Sequence, residues 1–144
     1  MTAERTPPMT SANKATLLAA NAAISVLDIE GFLQHCTDDI EWNAIGDTVI
    51  NGKASLRQWM KANYREPPEF TATELVAEDD MVVAVGAIVT TDTEGRRTTR
   101  LYSDVWRFGD GRMATLRAFV VDPRISCLMQ PAPAKARPTG RSWV

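Results

Sequence analysis

Histidine and cysteine are scarce in this sequence, whose 144 residues include one histidine and two cysteines. A nucleophilic serine or cysteine usually depends on an imidazole base and on a third group that orients the base. His35 is the one imidazole available, and no G-x-S-x-G motif occurs. Cys36 and Cys127 lie far apart without C-x-x-C spacing, so we expect reduced thiols, with a disulfide between them as an open alternative. A hydrolase triad and a redox or zinc pair of cysteines are therefore not expected.

Possible metal ligands are concentrated in one short segment, but without the spacing of a metal site. The segment contains His35, Cys36, Asp38, Asp39 and Glu41. Their order matches neither a helical pair of ligands nor a C-x-x-C motif, and charged residues in such clusters are usually solvated. We therefore predict no metal site and no cofactor.

Long hydrophobic runs are also missing. The longest apolar stretch, around Met81 to Val89, is far shorter than the roughly 20 residues that a membrane helix needs. The first ten residues contain Glu4, Arg5 and two prolines and have no apolar core, unlike a secretory signal. We expect a cytoplasmic protein without a membrane partner.

Basic residues are few outside the C-terminal segment. Four of the 16 basic residues follow Asp122 and no acidic residue does, so the preceding chain carries 12 bases against 18 acids. Nucleic-acid binding usually needs a basic face with clustered Lys and Arg. We therefore expect no nucleic-acid partner.

Apolar periodicity predicts three helices in the first half of the chain. The first begins at Thr10 or Ser11 and ends near Leu27, and its many alanines make it apolar on most sides, so we expect it inside the fold. The second covers Ile29 to Cys36, and the third begins at Lys53 and ends before the Pro67-Pro68 pair. Between the last two we expect a short strand, Ile40 to Asn43, and an irregular loop, Ile45 to Asn51.

The second half of the chain predicts four strands joined by short hairpins. They are Phe70 to Ala77, Met81 to Thr90, Thr98 to Phe108 and Met113 to Val121. Helices followed by a run of hairpins indicate an α+β domain with the helices on one face of the sheet. We expect a flexible start over residues 1–10, a domain over 11–122, and an extended, Pro-rich, basic tail over 123–144 that contains Trp143.

Two segments resemble the nuclear transport factor 2-like superfamily, and within it the SnoaL-like and ketosteroid-isomerase-like domains. The first contains the paired acids and short strand Thr37 to Trp42, followed by Gly46 and by Asn51-Gly52-Lys53 at a helix start. The second is Tyr102 to Met113, which is similar to the superfamily's penultimate strand and final hairpin. The resemblance covers about Asn13 to Asp122. It implies a cone-shaped, curved antiparallel sheet with three N-terminal helices enclosing a pocket, a cystatin-like roll.

The resemblance to ketosteroid isomerases implies a role for Asp104, which matches their hydrogen-bonding aspartic acid. An apolar site keeps that acid protonated, so it donates to a developing oxyanion. Their general-base aspartate falls at Asn43 and their first-helix tyrosine at Ala20, so isomerisation by their route is not expected. The epoxide hydrolases of the superfamily are also disfavoured, because their last-strand acid falls near Ala118 and their Arg/Asp pair is absent from Met81 to Thr90.

Strand alternation independently puts Tyr102, Asp104 and Trp106 on one face of their strand. We assign Asp104, Tyr102 and Asn43 as candidate catalytic residues, with Tyr102 or Asn43 as a hydrogen-bond partner of the acid. The resemblance further implies these ligand-binding residues: Ile24, Trp42, Trp59, Val85, Leu116, Ala118 and Val120.

The leading hypothesis is a pocket for a small hydrophobic ligand, carbonyl-containing or resembling a polyketide or steroid. The protein would then be an isomerase, cyclase or lyase with Asp104 as acid. No base stands out, and Glu41, Asp39 or Asp122 would serve only if the strand ends converge on the pocket.

Three alternatives stay open. Asp104 is structural if it pairs with Arg100, Arg107 or Arg117. The domain is a non-catalytic ligand-binding or dimerisation module if the sheet forms a homodimer. It is an interaction adaptor if an exposed apolar patch, with Leu101, Val105, Leu128 and Met129 as candidates, binds another protein.

Overall fold

Three helices and six strands make up the fold in a computed structural model that describes residues 9–123. The helices are α1 (Met9–Ile24), α2 (Ile29–Leu33) and α3 (Lys53–Asn63). The strands are β1 (Cys36–Ala44), β2 (Thr48–Asn51), β3 (Glu69–Glu78), β4 (Met81–Thr91), β5 (Arg97–Gly109) and β6 (Arg112–Val121). The predicted α+β class is confirmed. The predicted tail from residue 124 onward, with Cys127, Leu128, Met129 and Trp143, lies outside the described residues, as do residues 1–8 of the predicted flexible start.

Helix α1 buries one face only, so the prediction of a fully internal helix is wrong. Its buried positions are Asn13, Leu17, Ala20 and Ile24, spaced three or four residues apart, whereas Leu18 on the other side is half exposed. The small alanines on that side need no burial. After α1 the chain turns through Leu27, whose φ is 59°.

A side chain caps the start of α2, whereas α3 ends before it reaches the proline pair. The Asp28 carboxylate accepts a hydrogen bond from the Gly31 backbone N–H at 2.9 Å, which begins α2. The chain then enters β1 at Cys36, so the predicted end of the second helix is too late by three residues. Helix α3 buries Leu56 and Met60 and ends well before the prolines.

One sheet contains all six strands in the order β2-β1-β6-β5-β4-β3. The predicted meander is confirmed for β3 to β6, which pair antiparallel. The structure adds β2 within the predicted loop, antiparallel to β1. Strand β1 pairs parallel with β6, so the sheet is mixed and not wholly antiparallel as predicted. The chain between them includes a helix and four strands, which is ample for a parallel connection.

Helices α1 and α3 pack on one side of the curved, unclosed sheet, and we call this side its inner face. Inner positions alternate along each strand and match across strands, as in the row formed by Trp42, Leu116, Trp106 and Val82. The outer face carries the intervening positions, such as Leu101, Ser103 and Val105 of β5.

Irregular pairing bends the sheet at three places, between β1 and β6, β3 and β4, and β5 and β6. Gly86 is required at the second of these, because a Cβ there would overlap the carbonyl oxygen of Thr71. Within residues 9–123, no helix is long and apolar enough to cross a membrane.

Candidate active site

A cavity of about 440 Å³ lies between the inner face of the sheet and α3. Its volume falls in the range of sites that hold small organic molecules, roughly 300–1,000 Å³. The lining residues are Trp42, Ala44, Ile45, Asp47, Trp59, Tyr64, Phe70, Ile88, Thr90, Arg100, Tyr102, Asp104, Leu116, Ala118 and Val120.

The cavity has a closed end and an open end, which follow from the direction of β6. Along this strand the inner residues Leu116, Ala118 and Val120 are 1%, 8% and 46% exposed. Leu116 pairs with Trp42 and Trp106, which seal the closed end, and Val120 pairs with Tyr102 nearer the opening. The position of a residue along its strand therefore indicates its depth in the cavity.

Asp104 lies one inner position above the closed end, between Ala84 of β4 and Ala118 of β6. These small neighbours leave its carboxyl group facing the cavity. It makes no hydrogen bond or salt bridge with another described residue. Burial raises the pKa of Asp104 to about 7, because water no longer stabilises the carboxylate. Near neutral pH the side chain therefore exists in both protonated and ionised forms.

Two tyrosines surround this acid. Tyr102 is the next inner residue of β5, and its buried hydroxyl has no hydrogen-bond partner among the described residues. Burial, and secondly the charge of Asp104, raise the pKa of Tyr102 to about 12. The same two causes raise the pKa of Tyr64. Both phenols thus stay protonated and able to donate at neutral pH.

Aromatic rings form much of the remaining wall. The ring centroids of Trp42 and Trp59 are 5.8 Å apart, and those of Trp59 and Tyr64 are 5.5 Å apart. Phe70 meets Tyr102 edge-on, with centroids 5.7 Å apart. The cavity therefore suits a flat, apolar ligand that presents a hydrogen-bond acceptor to the tyrosines.

Arg100 lines the cavity toward its open end. One guanidinium nitrogen donates to the Thr90 hydroxyl oxygen at 3.3 Å. The alternative that Asp104 forms a structural salt bridge with Arg100, Arg107 or Arg117 is wrong. Arg100 makes no salt bridge to Asp104. Arg107 pairs with Asp80 at 2.8 Å, and Arg117 lies exposed on the outer face opposite Asn43 and Val105.

Seven of the ten residues assigned from the sequence line the cavity. They are Trp42, Trp59, Tyr102, Asp104, Leu116, Ala118 and Val120. The predicted hydrogen bond from Tyr102 to Asp104 is not formed, since the tyrosine hydroxyl has no partner.

The other three assigned residues lie elsewhere. Asn43 pairs with Val49 and Arg117 on the outer face, so its assignment to the cavity is wrong. Val85 pairs with Ser103 on that same face. Both errors have one cause: consecutive strand residues point to opposite faces, and Trp42 and Ala84 already point inward. Ile24 is 1% exposed and belongs to the hydrophobic core instead of the lining.

The three carboxylates suggested as bases do not line the cavity. Asp39 and Glu41 are exposed on β1, and Asp122, which follows β6, is not among the lining residues. Asp47, in the turn between β1 and β2, is the second carboxyl group at the cavity and lies at its exposed edge. No group of three His, Cys, Asp or Glu side chains within residues 9–123 is arranged to hold a metal ion.

Tyr64, Phe70, Arg100 and Thr90 are cavity residues that the sequence reasoning missed. Tyr64 follows the last residue of α3 on the side of the buried Met60, so the helical period contained a signal for it. Strand alternation could have indicated Arg100, which is an even number of residues from Asp104 on β5. It could also have indicated Thr90, which is an even number of residues from Ala84, the partner of Asp104 on β4.

Comparison with solved structures gives the same fold at low sequence identity. A nuclear transport factor 2-like protein from Burkholderia pseudomallei is 20% identical, with a TM-score of 0.70 over 82% of this chain and 97% of that one. An LEH-like epoxide hydrolase from M. tuberculosis is 19% identical, with a TM-score of 0.71 over 84% of this chain and 92% of that one. A putative polyketide cyclase from Xanthomonas campestris pv. campestris is 16% identical, with a TM-score of 0.66 over 78% and 92%.

Sequence comparison identifies the family. No curated protein sequence matches the chain significantly. A family model described as the SnoaL-like domain matches residues 17–116, which include all three helices after the first two turns of α1 and the sheet as far as the middle of β6. The chain therefore belongs to the SnoaL-like domain family, within the nuclear transport factor 2-like superfamily.

Proposed function

We propose that the cavity binds a small hydrophobic carbonyl compound and that Asp104 transfers a proton on it, as in an isomerase, a cyclase or a lyase. One observation carries the proposal: a carboxyl group and a phenol, Asp104 and Tyr102, face the same apolar cavity without protein partners. Buried polar groups in folded proteins nearly always have a partner. A ligand oxygen would accept a hydrogen bond from Tyr102, and an acidic C–H group of the ligand would give its proton to Asp104.

The chemistry needs no second carboxylate. The Tyr102 and Tyr64 hydroxyls donate hydrogen bonds to the ligand carbonyl oxygen. The ionised form of Asp104 removes a proton from the carbon beside that carbonyl, and the C–H electrons move onto the oxygen to give an enolate. Asp104, now the acid, returns the proton to the same carbon or to a conjugated one. A group with a pKa near the working pH is suited to both steps.

This arrangement differs from the one implied by ketosteroid isomerases. In the resemblance, Asp104 is the proton-donating acid beside the oxygen, and the base position is occupied by Asn43, which lies on the outer face. In the mechanism proposed here, Asp104 carries out both the base step and the acid step, and Tyr102 and Tyr64 stabilise the charge on the ligand oxygen. The similarity to a putative polyketide cyclase favours an aromatic carbonyl ligand, since a SnoaL-like cavity with an aromatic wall fits such molecules.

Deuterium exchange into 2-tetralone, a rigid aromatic ketone with acidic C–H groups, tests the proposal. We expect the wild-type protein to accelerate exchange at the carbons beside the carbonyl, as followed by proton NMR in D2O, with saturation at high ketone concentration. Asp104→Asn should lower the protein-dependent rate by about 10²- to 10⁴-fold, the usual contribution of a general acid or base.

Ser103→Ala is the matched control, since Ser103 neighbours Asp104 but belongs to the outer face. It should leave the rate unchanged. Circular dichroism establishes that each variant is folded. Exchange at the buffer rate with the wild-type protein, or full activity in Asp104→Asn, would show that the proposal is wrong.

The outer face supports a second proposal, that the domain forms a homodimer through its sheet. Exposed apolar side chains come from four strands: Val49, Val76, Leu101, Phe119 and Val121, each between 41% and 62% exposed. Exposed apolar side chains on one face of a sheet are a usual feature of association surfaces. In a two-fold symmetric dimer the same surface of each subunit packs against its counterpart. A second copy of this chain would therefore cover these apolar side chains. The molecular mass in solution tests this.

A further inference from the structure

Arg100 is unusual among the arginines of the described chain. Most of them are exposed to water or paired with a carboxylate, as Arg97 is with Glu69 at 2.9 Å. Arg57 and Arg100 are the two partly buried arginines in residues 9–123. Arg57 has a carboxylate partner, Glu30, with a nitrogen–oxygen distance of 2.6 Å. Arg100 has only the neutral hydroxyl of Thr90.

The register of β5 with β6 pairs Leu101 with Val121, which puts Asp122 near Arg100, but no carboxylate of residues 9–123 forms a salt bridge with Arg100. Outside the described residues the one acidic side chain is that of Glu4. Asp47 and Asp104 share the cavity with Arg100 but form no salt bridge with it. Asp47 belongs to the turn between β1 and β2, which lies beyond β6 from β5 in the strand order. A partly buried guanidinium is best stabilised by an anion that accepts two of its hydrogen bonds.

Depth in the cavity separates Arg100 from the proposed reaction centre. The two residues are four positions apart on β5, which puts their Cα atoms about 13 Å apart at the usual rise of a strand. Asp104 lies near the closed end and Arg100 near the opening. Ile88 of β4 pairs with Arg100, and Phe70 of β3 pairs with Ile88, so the wall beside Arg100 is apolar. Tyr102 is the inner residue between Arg100 and Asp104 on β5.

From this arrangement we infer that Arg100 binds an anionic group at one end of the ligand, so that the substrate class is a flat, hydrophobic carbonyl compound with a carboxylate or similarly charged oxygen group. The inference deepens the proposed function and rests on it. The apolar rings occupy the middle of the cavity, and the carbonyl lies beside Asp104. Thr90 holds the guanidinium in place when the ligand is absent.

Two fluorescent probes that differ by one anionic group test the inference. 8-Anilinonaphthalene-1-sulfonate carries a sulfonate, and N-phenyl-1-naphthylamine has the same rings without it. Fluorescence titration gives a Kd for each probe and each protein. We expect Arg100→Met to weaken binding of the sulfonate probe at least tenfold and to change binding of the neutral probe by less than threefold. Arg100→Lys, which keeps the charge, should restore part of the loss.

Two further variants make the result specific to the cavity. Arg97→Met removes an exposed, paired arginine from the same strand and should leave both Kd values unchanged. Ala118→Trp fills the cavity beside Asp104 and should abolish binding of both probes, while circular dichroism shows whether it is folded.

The outcomes separate the inference from the function on which it rests. Suppose that Ala118→Trp abolishes binding of the neutral probe but Arg100→Met binds the sulfonate probe as tightly as the wild type does. That result would overturn the anion inference alone. If Ala118→Trp leaves the binding of either probe unchanged, that probe does not bind in the cavity. This result would overturn the inference and remove the support for a ligand site as well.

Discussion

On β5, inner and outer residues alternate, and the two sets differ in how their polar groups are treated. On the outer face Arg107 pairs with Asp80, and Ser103 borders solvent. On the inner face Tyr102 and Asp104 face the cavity without protein partners, although burial makes unpaired polar groups costly. The outer face instead exposes apolar side chains, such as Leu101. The inner face thus carries polar groups and the outer face carries apolar ones, whereas an isolated, fully packed domain would have the reverse arrangement.

This difference indicates where function is concentrated. A buried acid without a partner lowers stability, so its presence needs a compensating role, and perturbed acids occur most often at functional sites. Exposed apolar residues cost little in a monomer but become useful in an interface. The inner face is therefore the candidate for chemistry and the outer face for association.

The largest effect that tests the contrast is on stability, and a matched pair of leucines measures it. Leu116→Ala removes an inner side chain that is 1% exposed, and we expect a loss of about 2–5 kcal/mol in the free energy of unfolding. Leu101→Ala removes an outer side chain that is 47% exposed, for which about 1 kcal/mol or less is expected. Urea denaturation at low protein concentration gives both values. Equal losses would mean that the two faces do not differ in packing.

The next effect is the pH dependence caused by Asp104. Its pKa is about 7 in the folded protein and 3.8 ordinarily, so between pH 4 and pH 7 the folded state binds more protons than the unfolded state. The free energy of unfolding must therefore fall as pH rises through this window and level off above it. At about 1.4 kcal/mol per pH unit the upper limit of the loss is roughly 4 kcal/mol.

Asp104→Asn removes this titration, so the difference between wild-type and variant stabilities isolates it. We expect the variant to gain roughly 2–4 kcal/mol relative to the wild type between pH 4 and pH 8, measured by urea denaturation at several pH values. Ser103→Ala, on the outer face, should follow the wild-type curve. A constant difference between Asp104→Asn and wild type over this range would mean that the acid is not buried as described.

The sequence predicted what local chemistry determines. Hairpin signals such as Gly109-Asp110-Gly111 correspond to backbone that turns with positive φ, 52° at Asp110 and 80° at Gly111. Alternation along β5 was enough to put Tyr102 and Asp104 on one face. Strand β2 was missed because four residues carry little periodic signal, and its pairing with β1 depends on the folded chain.

Site residues were predicted less well, for reasons of register. A resemblance that aligns one residue away moves a strand side chain to the opposite face, which is what happened to Val85. Trp42 and Asn43 were both assigned to the cavity, yet adjacent strand residues do not share a face. Arg100 was considered only as a partner for Asp104. The anion-binding role proposed for Arg100 depends on its position in the cavity, which the sequence does not show.

The smallest expected effect on monomer stability, and the decisive test of the outer face, comes from Phe119→Glu. Phe119 is 41% exposed, so its replacement should change the free energy of unfolding by about 0.5 kcal/mol or less. In a dimer formed through the sheet, the same charge would be buried against its own copy and repel it. We expect light scattering at high micromolar concentration to give a dimer for the wild type and a monomer for Phe119→Glu. Leu18 on α1 is 49% exposed, and Leu18→Glu should stay dimeric. A monomeric wild type would leave the apolar outer face without the proposed partner.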